Sequence, residues 1–178
     1  MSALHKLLGA VPAPLKQAVK DQLYPEILPE GETAPEWHLQ SYDDSWHRMN
    51  QLQWSVLVFY PGDDTPGCTR QLQDFQAHHA RLKALGCEVY AINPAEQQSH
   101  RAFAEKFGFT FPILTDRGGA VARRFHATVP IPFLLKIIRT VYLINPDRKI
   151  RLANRGAPSV AAIVRSIEAL KAATKDGR

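Results

Sequence analysis

Two cysteines in 178 residues are too few for the disulfide framework of a small secreted domain, so each is judged by its own surroundings. They do not form a Cys-x-x-Cys pair either. Cys68 is followed by Thr69, Arg70 and Gln71, which argues against a dithiol disulfide reductase or isomerase. No apolar run approaches the roughly 20 residues that span a bilayer, so no membrane partner is expected. The short run Leu7 to Val11 is interrupted by Pro12 and Pro14 and followed by Lys16. No secretion signal is read there, and a cytoplasmic location is expected. The histidines, His78, His79, His100 and His126 among them, lack metal-ligand spacing, so no metal site is expected. The net charge is +5, yet the Lys and Arg residues are scattered. Their densest group, Arg117, Arg123 and Arg124, has no interleaved aromatic platform, so no nucleic-acid partner is expected either. There is no internal repeat and no low-complexity tract.

What is present is an ordinary globular composition, 45% hydrophobic and 22% charged, at a length that suits one domain with a proper core. Leu4, Leu8, Val11, Leu15, Val19 and Leu23 recur at three- and four-residue steps. They predict an N-terminal helical extension over residues 1–30, broken at its prolines, packing on the body or on a second subunit. From Gly31 the pattern alternates. Trp54 to Tyr60 reads as a buried strand. Cys68, Leu72, Phe75, His79, Leu82 and Leu85 mark one face of a helix that Gly86 closes. Glu88–Asn93 is a second strand and Ala95–Phe107 a second helix. After a brief extended piece at Phe111–Leu114, Asp116 is placed to cap a short helix running to Phe125. Arg139–Ile144 and Lys149–Ala153 form strands joined by a turn at Asn145-Pro146-Asp147, and a last helix carries Val160, Ile163, Val164, Ile167 and Leu170. This order predicts an α/β domain with a mixed sheet.

The stretch with chemistry in it runs from Phe59 to Thr69 and reads Phe-Tyr-Pro-Gly-Asp-Asp-Thr-Pro-Gly-Cys-Thr. It sets Cys68 in the first turn of a helix, directly after a strand and a Pro/Gly loop. Free amides and the positive end of the helix dipole favour an anion there, and the thiolate is the nucleophilic form of cysteine. A buried cysteine acting as a small hydrophobe is the plain alternative, but such a filler has no need of this strand–loop–helix setting. Asp63 and Asp64, adjacent in the loop, read as turn residues rather than an acid/base pair.

Pro61, Thr65 and Cys68 resemble the active-site pattern of the peroxiredoxin family, within the AhpC/TSA superfamily. The wider string is similar to its Q-type branch, the bacterioferritin comigratory proteins, and Arg139-Thr-Val-Tyr-Leu-Ile144 resembles the strand bearing that family's arginine. The resemblance covers about residues 31–178 and implies a thioredoxin-like fold with a mixed central sheet. It implies a thiol-dependent peroxidase acting on hydrogen peroxide and organic hydroperoxides. Cys68 would attack the peroxide, Arg139 would hold the thiolate and steady charge on the leaving oxygen, and Thr65 would orient the peroxide. Pro61 would wall the pocket, and Pro66 and Gly67 would line the substrate side. No cofactor is implied. The implied partners are a peroxide and an external thiol reductant such as thioredoxin, glutaredoxin or a small thiol, with the chain a monomer or homodimer. A peroxide sensor or non-catalytic redox module on the same fold is the rival reading.

Three departures from that family stand out. The resolving cysteine often found five residues after the first is Gln73 here, leaving Cys87 as the other thiol. A helix from Cys68 to Leu85 is about 25 Å long at 1.5 Å per residue, far beyond the roughly 7 Å that a disulfide tolerates between Cα atoms. Cys87 is therefore expected to be structural, and a resolving role is the minority option. Gln71 replaces a glutamate that contacts the arginine in many relatives, which predicts a similar layout with Arg139 held less tightly. Finally, Val129–Ile138 is unusually apolar. It would favour bulky hydroperoxides, or seat the N-terminal extension, or form a dimer contact.

Overall fold

The computed structural model describes residues 24–49, 52–131 and 133–176. The predicted helical extension therefore falls mostly outside the described residues. Residues 24–30 contain no helix and lie against the body: the Leu28 amide donates to the Tyr142 hydroxyl at 3.2 Å, and Ile27 and Leu28 pack on the core.

Among the described residues, seven strands form one mixed sheet. They are β1 (His38–Ser41), β2 (Trp46–Arg48), β3 (Trp54–Phe59), β4 (Cys87–Asn93), β5 (Ile113–Thr115), β6 (Thr140–Ile144) and β7 (Ile150–Arg155), in the order β2-β1-β5-β4-β3-β6-β7. β3, β4 and β5 run parallel, while β6 and β7 are antiparallel to their neighbours. Among the described residues the α-helices are α1 (Pro66–Ala84), α2 (Gln97–Phe107), α3 (Ala120–Arg124) and α4 (Val160–Asp176). A βαβ unit joined to a ββα unit at the sheet centre is the thioredoxin-like arrangement, as the resemblance implies.

The central strands are apolar throughout because both of their faces are covered. All six residues of β3 are buried. Alternate residues feed two core layers. Val56, Val58 and Tyr60 meet Cys68, Leu72, Phe75 and Leu82 of α1 on one face. Leu57 and Phe59 meet Tyr142, Phe125 and Trp37 on the other. α1 starts with Pro66 in its first turn, where a missing N–H costs nothing, and Thr65 precedes it in extended conformation. Gly86, at φ +65°, turns the chain out of that helix and into β4.

Three sequence expectations shift slightly. Arg139 lies one residue before β6 rather than within it. Asp116 does cap α3, but across the turn Arg117–Gly119, accepting from the Val121 and Ala122 amides at 3.1 and 2.7 Å. The hairpin β1–β2 is absent from the sequence expectations, because its half-polar strands at the sheet edge are only four and three residues long. The apolar segment 129–138 folds into a tight excursion. The Val129 amide donates to the Lys136 carbonyl at 3.0 Å, and Ile137 and Ile138 return to the core. Its tip leaves Ile131, Phe133 and Leu134 exposed. Among the described residues, no helix is long and apolar enough to cross a membrane.

Candidate active site

β3 ends at Phe59, and the loop Pro61–Thr65 crosses the ends of the central strands before α1 begins. This places Cys68 in the first turn of α1, 1% exposed, at the C-terminal end of the parallel strands. A helix start leaves its first amides without intrahelical acceptors, so the Gly67 and Cys68 N–H groups are free to serve an oxygen beside the sulfur. The Thr69 amide is already used, donating to the Thr65 carbonyl at 2.8 Å. Thr65 and Pro61 are exposed on the loop, and the Thr65 hydroxyl donates to the Gly62 carbonyl at 3.3 Å.

Arg139 arrives from the opposite direction, at the start of β6. Its Nη2 donates to Cys68 Sγ at 3.2 Å, and its Nη1 donates to Gln71 Oε1. The Arg139 carbonyl is fixed in turn by the Gly156 amide at 2.9 Å. Gln71 thus supplies Arg139 with a neutral acceptor, while its Nε2 is buried with no hydrogen-bond partner among the described residues. Gly67 lies against the guanidinium: a Cβ there would sit 3.4 Å from Arg139 Nη2, in ordinary contact. Beside Arg139 opens a cleft of about 550 Å³, bounded by Gly67, Arg70, Asp74 and the Gly156–Ser159 turn.

Asp63 is more than a turn residue. Its carboxylate accepts from the Tyr60 hydroxyl at 2.6 Å and the Asn93 amide at 2.8 Å through Oδ1, and from the Ser99 hydroxyl at 2.6 Å through Oδ2. His100 Nδ1 lies 2.8 Å from the same Oδ2. Burial by itself would raise this carboxyl, but the hydrogen bond and charge of His100, with the bonds from Ser99 and Tyr60, hold it down to about 2. Burial, then the Asp63 charge, pushes the Tyr60 phenol well up, so it stays protonated and donates. The loop carrying Pro61 and Thr65 is therefore anchored to β4 and α2 through one carboxylate.

Cys87 stands elsewhere. It opens β4 in register with Trp54, the first residue of β3, and so lies at the end of the strands remote from Cys68. Burial, with Glu88 adding, pushes its thiol up to about 12. The structure thus gathers Cys68, Arg139 and Gly67, with Pro66 opening α1 beside them and Pro61 and Thr65 on the adjoining loop, and leaves Cys87 apart. Both cysteines are free. His79 is buried on the inner face of α1 and only half satisfied: its Nδ1 lies 2.8 Å from the Thr110 hydroxyl, while its Nε2 has no hydrogen-bond partner among the described residues.

A family model described as "AhpC/TSA family" matches residues 31–153. Wheat (Triticum aestivum) chloroplastic peroxiredoxin Q is 32% identical over 116 residues, which cover 64% of this chain and 54% of that protein. Peroxiredoxin Bcp of Xanthomonas campestris pv. campestris is 31% identical over 127 residues, covering 65% of this chain and 79% of the relative. The chain spans about half the length of the first chloroplast relatives it matches. Among solved structures, peroxidoxin BcpB of Mycobacterium tuberculosis superposes with a TM-score of 0.74 at 25% identity, covering 80% of this chain and 97% of its own.

Proposed function

The chain belongs to the AhpC/TSA family, and from that premise we propose that it is a thiol-dependent peroxidase whose peroxidatic residue is Cys68. The observation that carries this reading is the 3.2 Å contact between Arg139 Nη2 and Cys68 Sγ at a helix start. A guanidinium and two free amides converge on one sulfur, where they await an oxygen that gains charge.

In the first half-reaction the Cys68 thiolate attacks one peroxide oxygen. An S–O bond forms as the O–O bond breaks, and the sulfur loses two electrons to become a sulfenic acid. The departing hydroxide or alkoxide takes up a proton and leaves as water or an alcohol. Arg139 steadies the charge passing to that oxygen, Thr65 orients the peroxide, and Pro61 and Pro66 wall the approach. In the second half-reaction an external thiol condenses with the sulfenic acid, releasing water and forming a mixed disulfide. A second thiol then returns Cys68 to its reduced form. The burial of Cys87 at the far end of the sheet supports resolution from outside the chain. The reductant would be thioredoxin, glutaredoxin or a small thiol, and the substrates hydrogen peroxide and organic hydroperoxides. We place the domain at residues 31–178, with residues 1–30 as an extension, in a cytoplasmic monomer or homodimer.

Stopped-flow oxidation of reduced protein, followed by dimedone trapping and mass spectrometry, tests this reading. Fast oxidation that disappears in Cys68→Ser and survives in Cys87→Ser, with the adduct on Cys68, is the expected result. Oxidation of Cys68 no faster than that of an ordinary free thiol would overturn it.

A further inference from the structure

On the sheet face opposite α1 lies a second cleft, of about 710 Å³, which the proposed chemistry does not use. Cys68 belongs to the core layer beneath α1, whereas Trp37 and Tyr90 of this cleft belong to the other layer. Its walls are aromatic. Trp37 meets Tyr90 edge-on with ring centroids 4.9 Å apart, and His47 also meets Tyr90 edge-on, at 5.6 Å. Trp46, 60% exposed, stands at the rim.

Two residues of that lining each hold a buried donor with no partner among the described residues. Trp37 is 3% exposed, and its indole Nε1 is buried with no hydrogen-bond partner. Arg148 directs Nη1 to Glu36 Oε1 at 2.8 Å and Nη2 to the Ala34 carbonyl at 3.0 Å, while its Nε is likewise buried and unpartnered. Buried N–H groups are almost always satisfied, so two orphans lining one cleft call for an acceptor brought from outside. Charge points the same way. Arg48 and Arg148 line the cleft against one carboxylate, Glu36, which Arg148 already engages. Burial holds His47 below its ordinary value, so it adds a neutral ring.

We propose that this cleft is a second binding site, for a planar aromatic carboxylate. The ring would lie among Trp37, His47 and Tyr90, and the carboxylate oxygens would take the Trp37 and Arg148 N–H groups. Aromatic side chains set beside charged groups in one cleft suit a ligand that carries both a ring and a negative charge.

The test is a titration of the full chain, isotope-labelled at tryptophan, with naphthalene carboxylate, reading the indole N–H resonances by NMR. Trp37→Phe assigns its resonance by removing it. The Trp37 resonance should move saturably downfield while that of Trp54, in the other core layer, stays in place. Naphthalene methanol, the neutral analogue, should bind at least about tenfold more weakly, since it lacks the charge-assisted contacts. Trp37→Phe, which keeps a ring and loses the donor, should weaken binding about fivefold or more. The surface change Arg48→Gln should weaken it several-fold without touching the core. A Trp37 resonance that stays still would mean that water serves the two donors. Equal binding of the acid and the alcohol would reduce the cleft to an apolar patch. Either result overturns the proposal.

Discussion

His100 Nδ1 sits 2.8 Å from Asp63 Oδ2, and the imidazole is fully buried. This contact ties the loop holding Pro61 and Thr65 to a helix on a separate part of the chain. The Asp63 carboxyl is depressed from 3.8 to about 2 on folding. A depressed acid contributes stability that is complete above its unfolded value and is lost as pH falls through its folded value. Denaturation midpoints should therefore drop between about pH 4 and pH 2 in the native protein, with a flatter acid limb in Asp63→Asn. Near neutral pH that variant should be destabilised by about 2–4 kcal/mol, because it leaves buried donors facing an amide. Urea titration across the pH range checks both.

Arg139 should act mainly on the rate of Cys68 oxidation. Arg139→Gln removes the charge beside Sγ and should slow the reaction with hydrogen peroxide by about 10²–10³-fold. Arg139→Lys should recover only part of the loss, since an ammonium cannot reach Cys68 and Gln71 together as the planar fork does. Stopped-flow rates for the two variants measure this directly.

A thiol pushed up to about 12 by burial stays protonated in neutral solution. Native protein treated with iodoacetamide should be unlabelled at Cys87, with labelling appearing only on unfolding, as peptide mass spectrometry would show. Cys87→Ala should leave the rate of peroxide reaction within about twofold and cost about 1–2 kcal/mol through the small cavity it opens.

Phe133 is fully exposed at the tip of the apolar excursion, with φ at +63°. An aromatic residue gains nothing from that backbone, whereas asparagine tolerates it. Phe133→Asn should thus raise stability by about 0.5–1 kcal/mol. If the apolar tip recruits bulky substrates, the same variant should lower the cumene-to-hydrogen-peroxide rate ratio. An unchanged ratio would leave contact with the N-terminal extension or a second chain as the reason for the segment.

The linear motif from Pro61 to Cys68 was legible because its chemistry is local: a strand end, a loop and a helix start follow one another along the chain. Arg139 stands 71 residues beyond Cys68 and could be tied to it only by resemblance. The Asp63 network was invisible for a related reason. Asn93, Ser99 and His100 lie 30, 36 and 37 residues away from Asp63, on elements whose docking no periodicity reports. An Asp in a Pro/Gly loop looks like any turn residue until folding surrounds it with donors. The β1–β2 edge failed differently, since its strands of four and three residues are too short to establish an alternating pattern.

The register that pairs Trp54 with Cys87 has a kinetic consequence. If Cys68 is the peroxidatic residue, as proposed, the two cysteine sulfurs at opposite ends of the strands leave no thiol within reach to hold its oxidising equivalent. An oxidised molecule would then wait for a collision with an outside thiol. Turnover would follow reductant supply, and the oxidised fraction at steady state would become a running measure of peroxide against thiol.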